Sequence, residues 1–236
     1  MALLVAMLAG CASLRNSKLG HFYNNVTARY NGYFNAKELV KATKLKTEDT
    51  HVDDYSQILR IFKWGNETTA KAMASDMDKA IEKCSKVIQK RPGSDWVDDA
   101  YFTVAQAYFY KGDYYAALDL FKFLASEYED SDTELRAQLW IVKCYMQIGK
   151  LEEAQAYLTN IQKERKKYED YETDILLINA ELKILANNYS EARISLEKAI
   201  PEVKDRKERF RYKFILAQLY EQQGNKKKAG ELYSSL

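Results

Sequence analysis

Apolar and polar residues follow one another along most of this chain at the spacing of amphipathic helices, and the runs come in pairs. The pattern predicts helix pairs near 98–128, 134–165, 172–201 and 208–236, with residues 67–91 as the second helix of an earlier unit closed by Arg91-Pro92-Gly93. Gly112, Gly149 and Gly224 each fall between two runs and five residues ahead of an alanine. Those alanines belong to a longer series, Ala80, Ala117, Ala154, Ala192 and Ala229, with intervals of 37, 37, 38 and 37 residues. Four residues beyond each stands a core-type side chain: Cys84, Phe121, Leu158, Leu196 and Tyr233. Seven residues before the turns lie Ala105, Val142, Ala180 and Ala217, and four before three of them lie Tyr108, Tyr145 and Tyr220.

This recurrence has a physical cause. Two antiparallel helices approach closely only where small side chains face each other, and a large residue one turn along fills the space beside them. A position that turns the chain out of a helix favours the left-handed conformation, which glycine adopts freely and asparagine tolerates, so Asn187 stands in for glycine. Asp113, Asn188 and Asn225 are then expected to cap the helices that follow, with Lys150 the exception. No such pair buries its apolar face alone, so stacking must complete the core. Tyr101, Ala105, Tyr108, Gly112, Tyr114, Ala117, Phe121 and Leu124 resemble the small-and-large signature of the tetratricopeptide repeat. The fold class expected is therefore all-α, a tetratricopeptide-repeat helical solenoid of antiparallel helix pairs. That repeat is usually 34 residues long, so the extra residues are expected in the turns around 129–132, 166–169 and 204–207.

Composition narrows the function. With 36 basic and 34 acidic residues the formal charge is +2, which carries no nucleic-acid footprint. Lys204, Arg206, Lys207, Arg209, Arg211 and Lys213 form a basic stretch, but Glu202, Asp205 and Glu208 are interleaved, and a solvated helix face is favoured over a phosphate site. Residues 127–134 read as a solvated acidic turn. The only histidines, His21 and His51, are 30 residues apart, and no metal-ligand or nucleophile string occurs. The reading is a non-enzymatic chain with no cofactor, no metal and no small-molecule substrate.

Recognition of protein partners remains. In a stacked array the first helix of each pair lines a concave surface. Phe102, Gln106 and Phe109, then Leu139, Lys143 and Met146, then Leu177, Glu181 and Ile184 occupy its groove-facing places. Such residues suit peptide docking; against a neighbouring helix they would be plain core.

Met1 to Gly10 is an apolar run, far short of the roughly 20 residues that cross a bilayer, ending in Leu8-Ala9-Gly10-Cys11. This resembles the lipobox of bacterial lipoproteins, which implies cleavage before Cys11 and lipidation of its thiol; the alternative is a buried helix with an ordinary core cysteine. No Lys or Arg precedes the apolar run, a departure that leaves an earlier start codon open. Lipoproteins with Asp after the cysteine stay at the inner membrane, so with Ala12-Ser13-Leu14-Arg15 in that place the resemblance implies an outer-membrane anchor facing the periplasm of a Gram-negative bacterium. Cys84 and Cys144 fall in different repeats and read as buried thiols.

Residues 22–46 place Phe22, Val26, Tyr30, Tyr33, Phe34 and Val40 on one helical face, and Gly32 interrupts it, which implies close packing there. The string ARYNGYFNAKE at 28–38, with VDDYSQILRIFKWG at 52–65, DMDKAIEKCSKVIQK at 76–90 and DDAYFTVAQAYFYKGDYYAAL at 98–118, resembles the PorW/SprE family of type IX secretion lipoproteins. That resemblance implies an outer-membrane lipoprotein needed for type IX secretion and gliding motility, with components of the periplasmic ring and the outer-membrane translocon as partners. The domain reading is a signal peptide at 1–10, a lipidated linker at 11–19, an N-terminal helical segment at 20–66 and a repeat array at 67–236. Members of that family are longer, so the array is expected to continue past Leu236, and the last pair's uncovered apolar face to promote end-to-end association. The rival readings are a BamD-like β-barrel assembly lipoprotein and a periplasmic chaperone or cell-wall-binding regulator. If the lipid anchors the chain, Cys11→Ala leaves the folded body intact and moves it out of the membrane fraction; unchanged fractionation would sink the anchor.

Overall fold

The computed structural model describes residues 18–164 and 166–236. Among the described residues every regular element is helical. α1 (Lys18–Ala28) runs through one π-helical turn (Arg29–Tyr33) into α2 (Phe34–Asp49). The helices that follow are α3 (Glu67–Lys90), α4 (Val97–Lys111), α5 (Tyr114–Glu127), α6 (Asp132–Ile148), α7 (Leu151–Lys163), α8 (Glu172–Leu185), α9 (Tyr189–Ala199), α10 (Arg206–Gln222) and α11 (Lys226–Ser234). The described residues divide into two compact units, one built from those up to Thr47 with Gly65–Glu134, the other from Glu48–Trp64 with those from Leu135 to Leu236. Lipidation of Cys11 and the signal peptide lie outside the described residues.

The helix pairs form where the spacing predicts them, for the expected reason. Ala80, Ala117, Ala154 and Ala192 have no exposed surface and Ala229 almost none. Phe121, Leu158 and Leu196, one turn later, are equally buried, while Tyr233 stays partly exposed. Each tight turn uses one backbone device. Gly112, Gly149, Asn187 and Gly224 take φ values of +89°, +82°, +56° and +78°. The next residue's N–H then reaches back five residues, from Asp113 to Tyr108, Lys150 to Tyr145, Asn188 to Lys183 and Asn225 to Tyr220, at 2.8–2.9 Å. These bonds satisfy carbonyls that a helix end leaves orphaned.

Capping departs from expectation at one position. Asn188 and Asn225 accept from the N–H groups of Glu191 and Lys228. Asp113 makes no cap bond; its carboxylate instead lies 3.4 Å from the Lys111 ammonium, which competes for it. The lengthened turns fall near their predicted places, two of them containing short 3-10 turns at Glu169–Tyr171 and Ile200–Glu202. The acidic turn is not wholly solvated: Glu134 is buried and accepts from the N–H of Asp130 at 2.7 Å, where the backbone turns left-handed.

In the first unit Ala28, Ala36 and Val40 pack with Met77, Ala80, Cys84 and Val87 of α3 and with Ala100, Val104 and Ala107 of α4. The predicted face of the N-terminal segment is corrected here. Tyr33 and Val40 are buried as expected, but Phe22, Val26 and Phe34 are exposed, because the π-helical turn adds a residue and brings Ala28 and Ala36 into the buried stripe instead. Gly32 sits at that turn against α3, where a Cβ would lie 2.2 Å from Val87 Cγ2 and 3.3 Å from the Lys83 carbonyl oxygen. Tyr33 stacks on Trp96 with ring centroids 5.2 Å apart. The Asn25 side chain clips α1 to the turn before α4, accepting from Ser94 Oγ and the Asp95 N–H, both at 2.9 Å.

A second correction concerns residues 20–66. Helix stops at Asp49, and residues 51–66 contain no helix. Within it, residues 51–64 leave the N-terminal segment and belong to the second unit.

Both remaining cysteines are buried thiols, and burial pushes each up to about 12. They are therefore inert at neutral pH. Because Ala117 is fully buried at a helix crossing, Ala117→Leu is expected to overpack the α4–α5 pair and cost about 1–3 kcal/mol. A thermal melt equal to wild type would show that the crossing lies elsewhere.

Candidate functional site

The groove-facing residues do not all share one environment. Phe102 and Phe109 of α4 are buried, with Phe102 edge-on to Phe121 and Phe109 edge-on to Tyr114, and Gln106 between them is partly exposed. In the second unit Leu139, Lys143 and Met146 of α6 and Leu177, Glu181 and Ile184 of α8 line a groove that residues 53–64 occupy.

Apolar contacts run along the occupying segment. Leu59 and Ile61, at 5% and 2% exposure, enter a core with Leu177, Ala180, Ile184, Tyr212, Ile215, Leu216 and Leu219. Phe62 and Trp64 stack with centroids 5.0 Å apart and pack against the cluster holding Leu139, Met146 and Leu158. The Lys143 ammonium lies over the Phe62 ring at 5.1 Å and over the Trp140 ring of its own helix at 4.8 Å, so cation–π attraction draws it to both.

Polar contacts fix the segment's register. Glu181 has no exposed surface. Its Oε1 accepts from Arg60 Nε at 2.5 Å and its Oε2 from the Ile61 N–H at 2.7 Å, with a further bond from the Phe62 N–H. Burial pushes the Glu181 carboxyl above the usual carboxylate range, while the guanidinium and the two N–H groups draw it back. All three partners are donors, so the ionised form is the one this geometry satisfies.

Farther along the groove, α10 reads the main chain. Gln218 accepts from the Leu59 N–H at 3.0 Å and donates to the Gln57 carbonyl at 2.9 Å. Arg211 donates to both carboxylate oxygens of Asp53, at 2.6 and 2.8 Å, and to the Arg60 carbonyl at 2.9 Å. The expectation of a solvated basic face fails at Arg211, whose side chain is only 14% exposed. Arg211 holds Asp53 below the usual carboxylate range, chiefly through that paired hydrogen bond. His51, 3.1 Å from Asp53, is held below its ordinary value by burial in spite of the carboxylate.

Asp53, Leu59, Arg60, Ile61, Arg211 and Gln218 were not among the site residues expected from the sequence. Two signals pointed to them. Glu181 is an acid between apolar groove positions Leu177 and Ile184, and VDDYSQILRIFKWG concentrates apolar residues outside any repeat. Neither signal identifies the other as its partner.

A family model described as Tetratricopeptide repeat matches residues 108–173. No curated protein matches the chain in sequence. Among solved structures, a Podosopora anserina kinesin light chain with nearly identical TPR-like repeats is similar with a TM-score of 0.51 at 16% identity, covering 71% of this chain and 90% of that one. BtubC (BKLC) from P. vanneervenii gives 0.51 at 14% identity, covering 86% and 87%.

Two outcomes are expected of the groove contacts. Arg60→Ala strips Glu181 of its cation and is expected to lower stability by about 2 kcal/mol, read as an earlier denaturation midpoint; an unchanged midpoint would show the pair to be energetically idle. The pH dependence follows from two depressed values. Folding opposes protonation of both His51 and Asp53, so their contribution is complete near pH 7, begins to fall below about 6.5, and falls further below about 3.9. Amide exchange of residues 54–63, corrected for intrinsic rates, should accelerate from pH 7 to 5, and His51→Ala should flatten that limb. With eleven helices among its described residues, a tetratricopeptide match over 108–173 and TPR-like structural neighbours, this is an all-α protein with a tetratricopeptide-repeat helical fold.

Proposed function

We propose that this protein is a lipid-anchored, non-enzymatic adaptor of the type IX secretion and gliding machinery, holding protein partners on its helical repeats at the periplasmic face of the outer membrane. The observation that carries the adaptor reading is the groove of the second unit, which grips a non-helical stretch of polypeptide by its side chains and its main chain together. Repeat proteins of this type are scaffolds for protein contacts. The groove presents donors, acceptors and apolar walls suited to a polypeptide.

The narrower assignment draws on two strings, and each has a definite structural part. ARYNGYFNAKE spans the π-helical turn against α3, and VDDYSQILRIFKWG is the segment seated in the groove. Lipidation at Cys11 would hold the repeats near the membrane. The test is mild cross-linking in intact envelopes, detergent extraction of the full-length protein and identification of what accompanies it. Type IX ring or translocon proteins are expected. β-Barrel assembly factors instead would move the protein to that machinery, and an empty capture would leave the adaptor reading without support.

A further inference from the structure

Residues 53–64 sit in the second unit as a bound peptide would, although they belong to the same chain. We propose that this segment is a resident pseudo-ligand, and that the groove's partner in trans is a peptide carrying an arginine flanked by two aliphatic residues and followed by an aromatic. The proposal rests on the adaptor reading and names its partner class.

The groove specifies that chemistry position by position. Glu181 is fully buried, so an occupant must supply a cation and main-chain N–H donors to it, as Arg60 and Ile61 do. The Arg60 bond runs through Nε–H, a donor that lysine lacks. Aliphatic walls on both sides accept Leu59 and Ile61. Lys143 then takes the aromatic face of Phe62. A carboxylate seven residues before the arginine meets Arg211, as Asp53 does.

The manner of binding marks the segment as exchangeable. Gln218 reads one N–H and one carbonyl of its main chain, the contact that lets a groove hold different sequences in one register. Residues 54–57 between the anchors are exposed, and Val52 beside them is 89% exposed. The segment holds its place through high effective concentration, since it is tethered to the groove it fills. A trans peptide must outcompete it, so apparent affinity falls with the fraction of time the groove is open.

The test uses the full chain and a fluorescein-labelled peptide of sequence VDDYSQILRIFKWG, followed by anisotropy. Wild type should bind weakly. Ile61→Asp, which weakens the resident segment and leaves the groove residues in place, should bind at least about tenfold tighter. Adding Glu181→Ala, or replacing the peptide's arginine by alanine, should remove that gain. No gain in an Ile61→Asp chain with wild-type helical circular dichroism overturns the proposal. Should that variant fail to fold, amide exchange of wild type decides: Leu59 and Ile61 exchanging well ahead of the α8 and α10 cores supports a displaceable segment, and exchange only together with them overturns it. Envelope partners without peptide binding would refute the pseudo-ligand and spare the adaptor reading; peptide binding without envelope partners would do the reverse.

Discussion

Withdrawing a carboxylate from water costs several kcal/mol unless donors replace the lost solvation, and the second unit is organised around one such group. Glu181 receives its donors from residues 60 to 62, about 120 positions earlier in the chain. The donors of α8 near it are engaged elsewhere, Asn179 with Ser195 and Lys183 with Glu191, so that carboxylate draws its donors from the occupant of the groove. This requirement accounts for the irregular course of the chain after α2. Residues 51–64 leave the helical N-terminal segment and complete a core made of repeats far downstream, with Leu59 and Ile61 buried where another unit's side chains would otherwise be needed.

The arrangement also explains why Arg211 behaves unlike its basic neighbours. A guanidinium at this place satisfies a carboxylate and a main-chain carbonyl of the same segment at once, which the flexible point charge of a lysine does less well. Glu181 and Arg211 thus form complementary clamps of opposite sign that meet at Arg60, between Leu59 and Ile61, with Arg211 reaching on to Asp53. The apolar residues supply the burial, and the charged pairs set the register in which burial occurs. A one-residue slip would bring the wrong side chain to Glu181 and expose part of the aliphatic pair.

The first unit relies on close approach rather than buried charge. Gly32 lets the π-helical turn touch Val87 and Lys83, and the extra residue in that turn decides which face of α1 and α2 is covered. Phe22 and Phe34 remain outside in consequence. Periodicity alone finds Tyr33 and Val40 but places Phe22, Val26 and Phe34 with them, because a 3.6-residue count carried through Gly32 takes no account of a local change in helical pitch.

Helix pairs, their turns and their crossings were legible in the sequence because each depends on neighbours within one repeat. Alanine at the crossing, a large residue one turn on and glycine or asparagine at positive φ are local solutions to local steric problems, and they recur every 37 or 38 residues. The groove residues of α6 and α8 could be named for the same reason, since helical phase places them on one face. What fills the groove depends on a contact between residues 53–64 and helices more than 100 positions away, and no local period encodes it. Glu181 and the apolar run around Arg60 were each conspicuous in the sequence. Only the tertiary structure joined them, because the desolvation that binds one to the other arises when the chain has folded.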